Sequence, residues 1–195
     1  MGGRARLALG VVLLAAGLWQ VGGGLWVFAK AVVAQELLEH AWDRARAGED
    51  RPRPWPWADV WPAARLEVPG LGLSRIVLEG ASGSALAFGP GRTVVETGPG
   101  RPGHTMLSGH RDTHFRFLAD LETGDGLVLT EADGARHRYK VTGTAVVHVD
   151  DARLTLGDTP TLVLTTCYPF DAIRPGGPLR YLVLAERTSR VAEAR

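Results

Sequence analysis

An uninterrupted apolar run near the start of the chain constrains its folding most. From Leu7 to Ala29 the twenty-three residues LALGVVLLAAGLWQVGGGLWVFA carry no charge. At helical rise that is enough to cross the hydrocarbon layer of a bilayer with a little tilt. The run predicts a spanning helix. Arg4 and Arg6 precede it, and positive charge on a short flank stays in the cytoplasm, which assigns residues 1–6 to the inside and the rest of the chain to the outside. Trp26 and Phe28 suit the far interface. A cleaved leader is the competing reading, because Ala29-Lys30-Ala31 has a small-x-small pattern. The run exceeds the roughly 7–15 apolar residues of a leader core, and a lysine occupies the cleavage position, so retention as an anchor over 7–29 is expected.

Residues 30–63 read as a stalk and spacer. Val33, Leu37, Ala41 and Ala45 recur every four residues, with Leu38 and Trp42 widening the stripe, so the helix is expected to continue to about Ala47. RPRPWPWADVWP then breaks it, because proline removes a backbone donor and pushes the residue before it into extended geometry. All six tryptophans lie in the first 61 residues. Two readings of this arm stay open: packing at an interface or on the side of the domain, or lying along the domain and shaping a groove.

A length of 195 residues accommodates one domain of ordinary size beside an anchor. The net charge of +1 provides no single-sign field for nucleic acid or another polyanion. One cysteine, Cys167, excludes a disulfide within the chain and a cysteine-ligated metal.

From Ala64 onward, short apolar runs alternate with Gly, Pro and Asp, the signature of strands and turns. Strands are expected over 64–68, 75–78, 104–108, 126–130, 135–149, 161–166 and 179–186. Asp133-Gly134 is expected to form a hairpin turn of the kind in which both central residues can accept positive φ. Single helical turns are expected over 84–88, 113–118 and 150–154. The economical architecture is mainly β: a closed, mostly antiparallel barrel of seven or eight strands over 64–187, followed by a tail over 188–195.

Three segments could carry chemistry. In TLVLTTCYPF a strand rich in branched residues places Cys167 at its end, just before Pro169. That position suits a small buried residue as well as a fixed nucleophile. In GHTMLSGHRDTHF a second strand runs into a turn with His110 at its end. An imidazole there could generate a thiolate and protonate a departing amine. His104 and His114 compete for that role, but the three histidines lack regular metal-ligand spacing, so no metal or other cofactor is expected. In DAIRPGGPLRYLVLAE, Arg180 opens the last apolar strand, with Arg174 as an alternative in the loop before it. A guanidinium fixed on a strand could hydrogen-bond the oxyanion of an acyl-transfer transition state.

At these residues the chain resembles the sortase family. Thr161-Leu162 and Leu-Thr-Thr-Cys at 164–167 are similar to the family's Thr-Leu-x-Thr-Cys, Ser-Gly-His-Arg-Asp at 108–112 to its Gly-His-Arg, and EVPGLGL at 67–73 to its opening Ile-Pro-x-(Ile/Leu)-Gly segment. The segments GHTMLSGHRDTHF and TTCYPFDAIRPGGPLRY look most like the sortases of Gram-negative proteobacteria. The resemblance implies an eight-stranded sortase-like β-barrel with Cys167, His110 and Arg180 as catalytic residues. It implies an inner-membrane enzyme, its domain in the periplasm, that cleaves an LPxTG-like sorting motif at the C-terminus of a surface or envelope protein. The acyl group would pass through a Cys167 thioester to an amine acceptor. The substrate-binding residues are not assigned. Three prolines and a Gly-Gly pair between Cys167 and Arg180 set this loop apart from the family pattern. A papain-type hydrolase would need Cys before His and an Asn after them; here His precedes Cys and the chain contains no Asn. A cysteine protease that only hydrolyses, and a non-enzymatic peptide-binding barrel displayed on a membrane, remain as alternatives.

Overall fold

The computed structural model of the chain describes residues 2–95, 103–151, 159–174 and 176–188. Residues up to 37 form one unit and residues from 38 onward another. The first helix, α1, spans Gly3–Arg46. Its part in the first unit exposes Leu14, Leu18, Trp19 and Phe28, and the helix is long and apolar enough to cross a membrane by length and composition.

The second unit is a closed barrel of eight strands. These are β1 (Pro62–Val68), β2 (Leu73–Glu79), β3 (Gly91–Val95), β4 (His104–Ser108), β5 (Gly126–Glu131), β6 (Arg136–His148), β7 (Thr161–Tyr168) and β8 (Leu179–Arg187). They pair in the order β1-β2-β3-β4-β7-β8-β6-β5, and β5 closes on β1. Strand alternation explains the interior, because every second side chain points the same way. Leu66, Leu107, Leu127, Leu162, Leu164 and Val183 meet inside, together with Phe115 from the turn after β4.

Outside the barrel a smaller cluster forms. Ile76 and Leu78 of β2 meet Leu38 and Trp42 from the last turns of α1, Ala58 and Val60 from the proline-rich arm, and Ala85 of the short helix α2 (Gly83–Phe88). Ala41 and Ala45 are buried as well, so the last part of the stalk's stripe is a packing face, whereas Val33 at its start is exposed. Trp55 stacks edge-on against Phe88, with ring centres 4.7 Å apart. The tryptophan arm therefore packs on the side of the barrel, although Trp57 projects into solvent.

Several elements differ from expectation. β3 has no counterpart in the sequence reading. β2–β3 and β4–β7 are parallel, the other pairings antiparallel. β7 continues through Cys167 to Tyr168 before Pro169 stops it, because the β8 partner extends to Leu179. In the β5–β6 turn only Gly134 takes a positive φ, at 92°. Asp133 instead accepts a hydrogen bond from Ala135 N–H on its Oδ1, which shapes the turn without a left-handed residue at that position. The helical turn expected over 113–118 is a tight 3-10 turn at Arg116–Asp120. The one expected over 150–154 lies largely outside the described residues.

Candidate active site

The sequence separates His110, Cys167 and Arg180 by tens of residues, and strand register brings them together. β4 and β7 run parallel, with Thr105 opposite Leu162 and Ser108 opposite Thr165. Beyond the ladder, Gly109 N–H donates to the Thr165 carbonyl at 3.1 Å, and Thr166 Oγ1 donates to the Gly109 carbonyl at 2.7 Å. The same offset carried one step further sets His110 beside Cys167. On the other side, β7 and β8 are antiparallel, and Cys167 lies directly opposite Arg180. The three residues thus form one row, with Cys167 on β7, Arg180 on β8 and His110 just beyond the end of β4.

Alternation decides which way this row faces. Leu162 and Leu164 of β7 belong to the interior core, as do Val183 and Ala185 of β8. Cys167 and Arg180 are one register step out of phase with them and point to the outer surface. His110 is exposed, whereas Cys167 and Arg180 are half-buried. Arg180 donates from Nη1 to the carbonyls of Gly177 at 2.8 Å and Leu179 at 2.9 Å. These bonds fix the guanidinium at one corner and leave Nη2 and Nε without a partner among the described residues. Arg174, the alternative cation, is exposed in the β7–β8 loop and has no strand to fix it.

The other two histidines sit elsewhere. His104 is buried at the start of β4, where its Nδ1 accepts from Thr161 N–H at 3.2 Å. His114 lies half-buried in the turn after β4. Burial pushes its pKa below the ordinary value; a hydrogen bond with the Ala87 backbone opposes the shift, and the charges of Arg75 and His110 add to it. Among the described residues no group of three or more His, Cys, Asp or Glu is placed to hold a metal.

Three residues that lie in the quoted motifs but received no role from the sequence support the row. Thr166 and Gly109 make the bridge just described. Arg111 follows His110 and is buried, with only 3% of its surface exposed. It donates to the carbonyls of Pro169 at 2.7 Å and Ala172 at 2.9 Å, and both its Nε and Nη2 donate to the Asp112 carboxylate. The paired hydrogen bonds from Arg111 hold Asp112 below the usual carboxylate range. Next to Cys167, Tyr168, Phe170 and Tyr181 form an aromatic group, with ring centres 5.1–6.0 Å apart.

A sortase domain family profile matches residues 66–188, which hold all three members of the row. The chain belongs to the sortase family. It is 36% identical over 126 residues to sortase D of Bacillus subtilis (strain 168), a match covering 64% of this chain and 63% of that protein, so it spans less than two thirds of that relative's length. Among solved structures, a Clostridium perfringens sortase D5 transpeptidase superposes with a TM-score of 0.60 at 21% identity, covering 81% of this chain and 99% of that one. Sortase C-1 from Actinomyces oris gives a TM-score of 0.54 at 27% identity, over 66% and 76% of the two chains.

Proposed function

We propose that the protein is a membrane-anchored cysteine transpeptidase that cleaves an LPxTG-like sorting motif near the C-terminus of a surface or envelope protein and transfers the acyl part to an amine. The observation that carries this reading is that a sortase-family barrel sets Cys167 opposite Arg180 on β7 and β8 and ties the segment around His110, just past β4, to the other edge of β7. The Cys167 thiolate attacks the carbonyl of the motif threonine, and Arg180 donates to the oxyanion that forms. Collapse breaks the Thr–Gly carbon–nitrogen bond, and His110 as imidazolium gives its proton to the departing glycine amine. The thioester left on Cys167 is then attacked by an incoming amine, whose proton passes to neutral His110; the carbon–sulfur bond breaks, and the Cys167 thiolate and His110 imidazolium are restored.

The apolar first part of α1 serves as the anchor over 7–29, with residues 1–6 inside, a stalk and spacer over 30–63, the catalytic barrel over 64–187 and a tail over 188–195. Placing the barrel in the periplasm of a Gram-negative cell rests on the subtype likeness of the His110 and Cys167 segments. Tethering beside a tethered substrate raises effective concentration, so weak recognition of a short motif suffices.

The test is mass spectrometry of the full chain in detergent micelles, incubated with a Leu-Pro-x-Thr-Gly peptide library with and without a glycine-based amine. A peptide adduct on Cys167 that is absent in Cys167→Ala, together with amine-dependent ligated product, is the expected result. Hydrolysed peptide whatever amine is offered would make the protein a protease, and a folded protein that forms no adduct would make it a binding module.

A further inference from the structure

His110 is tied to the strand of Cys167 on both of its sides. On the side before it, Gly109 bonds to Thr165 and Thr166, the residues that precede the cysteine. On the side after it, Arg111 bonds to Pro169, two residues beyond the cysteine, and to Ala172 in the β7–β8 loop. Residues 109 and 111 thus bracket the histidine and grip residues 166 and 169, which bracket the thiol. The first grip is mostly backbone and comes with the parallel ladder. The second depends on one side chain.

A charged side chain this deeply buried is costly unless every donor is used. Arg111 uses Nε, Nη1 and Nη2, and only a planar guanidinium can reach two carbonyls and a carboxylate fork at once. Asp112 fits as the outer jaw: its side chain is 57% exposed, yet it accepts from two corners of the guanidinium. Such an arrangement fixes the plane of Arg111 and, through the short turn, the place of the residue before it.

We infer that Arg111, clamped by Asp112, is a positioning residue that holds the His110 turn against the exit of the Cys167 strand and so sets the distance over which the proton passes. The inference rests on the transpeptidase reading for the roles of His110 and Cys167.

Two variants of the full chain test this. Arg111→Lys keeps the charge but cannot make the fork. Asp112→Asn changes a side chain that is itself exposed and leaves only one oxygen to accept where two bonds are needed; circular dichroism of both variants establishes that they are folded before turnover is compared. Turnover of the sorting peptide is measured as kcat and KM, beside a substrate-free measurement, the rate of Cys167 alkylation by iodoacetamide at pH 7.

Displacement of a proton-transfer group by about 1 Å costs on the order of 100-fold. The expected result is a kcat lower by about that factor in Arg111→Lys and by about tenfold in Asp112→Asn, with KM within about twofold and alkylation slowed by about tenfold in Arg111→Lys. Wild-type kcat and alkylation in either folded variant, or a loss confined to KM, would overturn the inference. If the wild-type chain turns over no sorting peptide, the transpeptidase reading fails by itself. Alkylation then still decides on Arg111: slowed alkylation supports its role and an unchanged rate overturns it.

Discussion

At Gly109 there is room for a hydrogen and little else, because a Cβ there would stand 2.8 Å from the ring of the buried Phe115. That ring is held in turn by Phe115 N–H donating to the His110 carbonyl at 3.0 Å. Gly109→Ala is expected to cost about 1–3 kcal/mol through overpacking, and to lower turnover more than stability because the displaced turn carries His110. Chemical denaturation beside peptide turnover checks both. Thr166→Val removes the hydroxyl that reaches the Gly109 carbonyl, for a net cost of about 1 kcal/mol in the same denaturation measurement. Arg180→Lys keeps a cation opposite Cys167 but loses the fork; removing one oxyanion donor costs about 100- to 1000-fold in kcat, and burst kinetics are expected to place the loss in the acylation step. His114 gives the pH dependence. Its folded pKa lies below the unfolded value of about 6.5. Above that pH the ring is neutral in both states and stability is complete. As pH falls toward the folded pKa the unfolded chain takes the proton first, so stability declines. Melting temperatures across this window should fall with pH, and the slope should flatten in His114→Gln.

At the scale of elements, β7 matters most, since it is the middle member of the row and pairs on both edges. Leu164→Ala in its buried face is expected to cost about 2–5 kcal/mol, read by denaturation. β7 and β8 were legible in the sequence because both are rich in branched residues, with Pro160 and Pro169 flanking β7 and Pro178 preceding β8. β3 was not: GRTVV is five residues long, pairs with β2 at only two positions, and carries too little alternation to stand out. The closed barrel was legible as an architecture, whereas its two parallel pairings were not, because parallel partners are joined by crossovers and leave no tight turn to read. The same limit applies at the site. Cys167, His110 and Arg180 stood out by residue type at strand ends. Arg111 did not, because an Arg-Asp pair in a turn reads as surface charge, and nothing in its neighbours announces that the arginine is buried between two distant carbonyls.

For the whole molecule, the last turns of α1 belong with the barrel rather than with the apolar segment before them. Leu38 and Trp42 fill the outer cluster against β2 and α2, and Arg65 of β1 reaches Glu39 while its guanidinium lies over the Trp42 ring. A chain cut to begin at residue 48 is expected to melt well below one that begins at residue 38, because the Trp42 side chain alone is worth about 3–5 kcal/mol; paired thermal scans of the two would show it. The parallel ladder between β4 and β7 carries one more consequence, concerning time. It joins residues 57 positions apart, while the β5–β6 and β7–β8 pairs are hairpins between consecutive strands. Long-range pairing is slow, so the nearby hairpins form first and this closure comes late. Until it does, the cysteine has its arginine neighbour but no histidine. The order of pairing in the folding chain thus brings the arginine to the cysteine first and the histidine second.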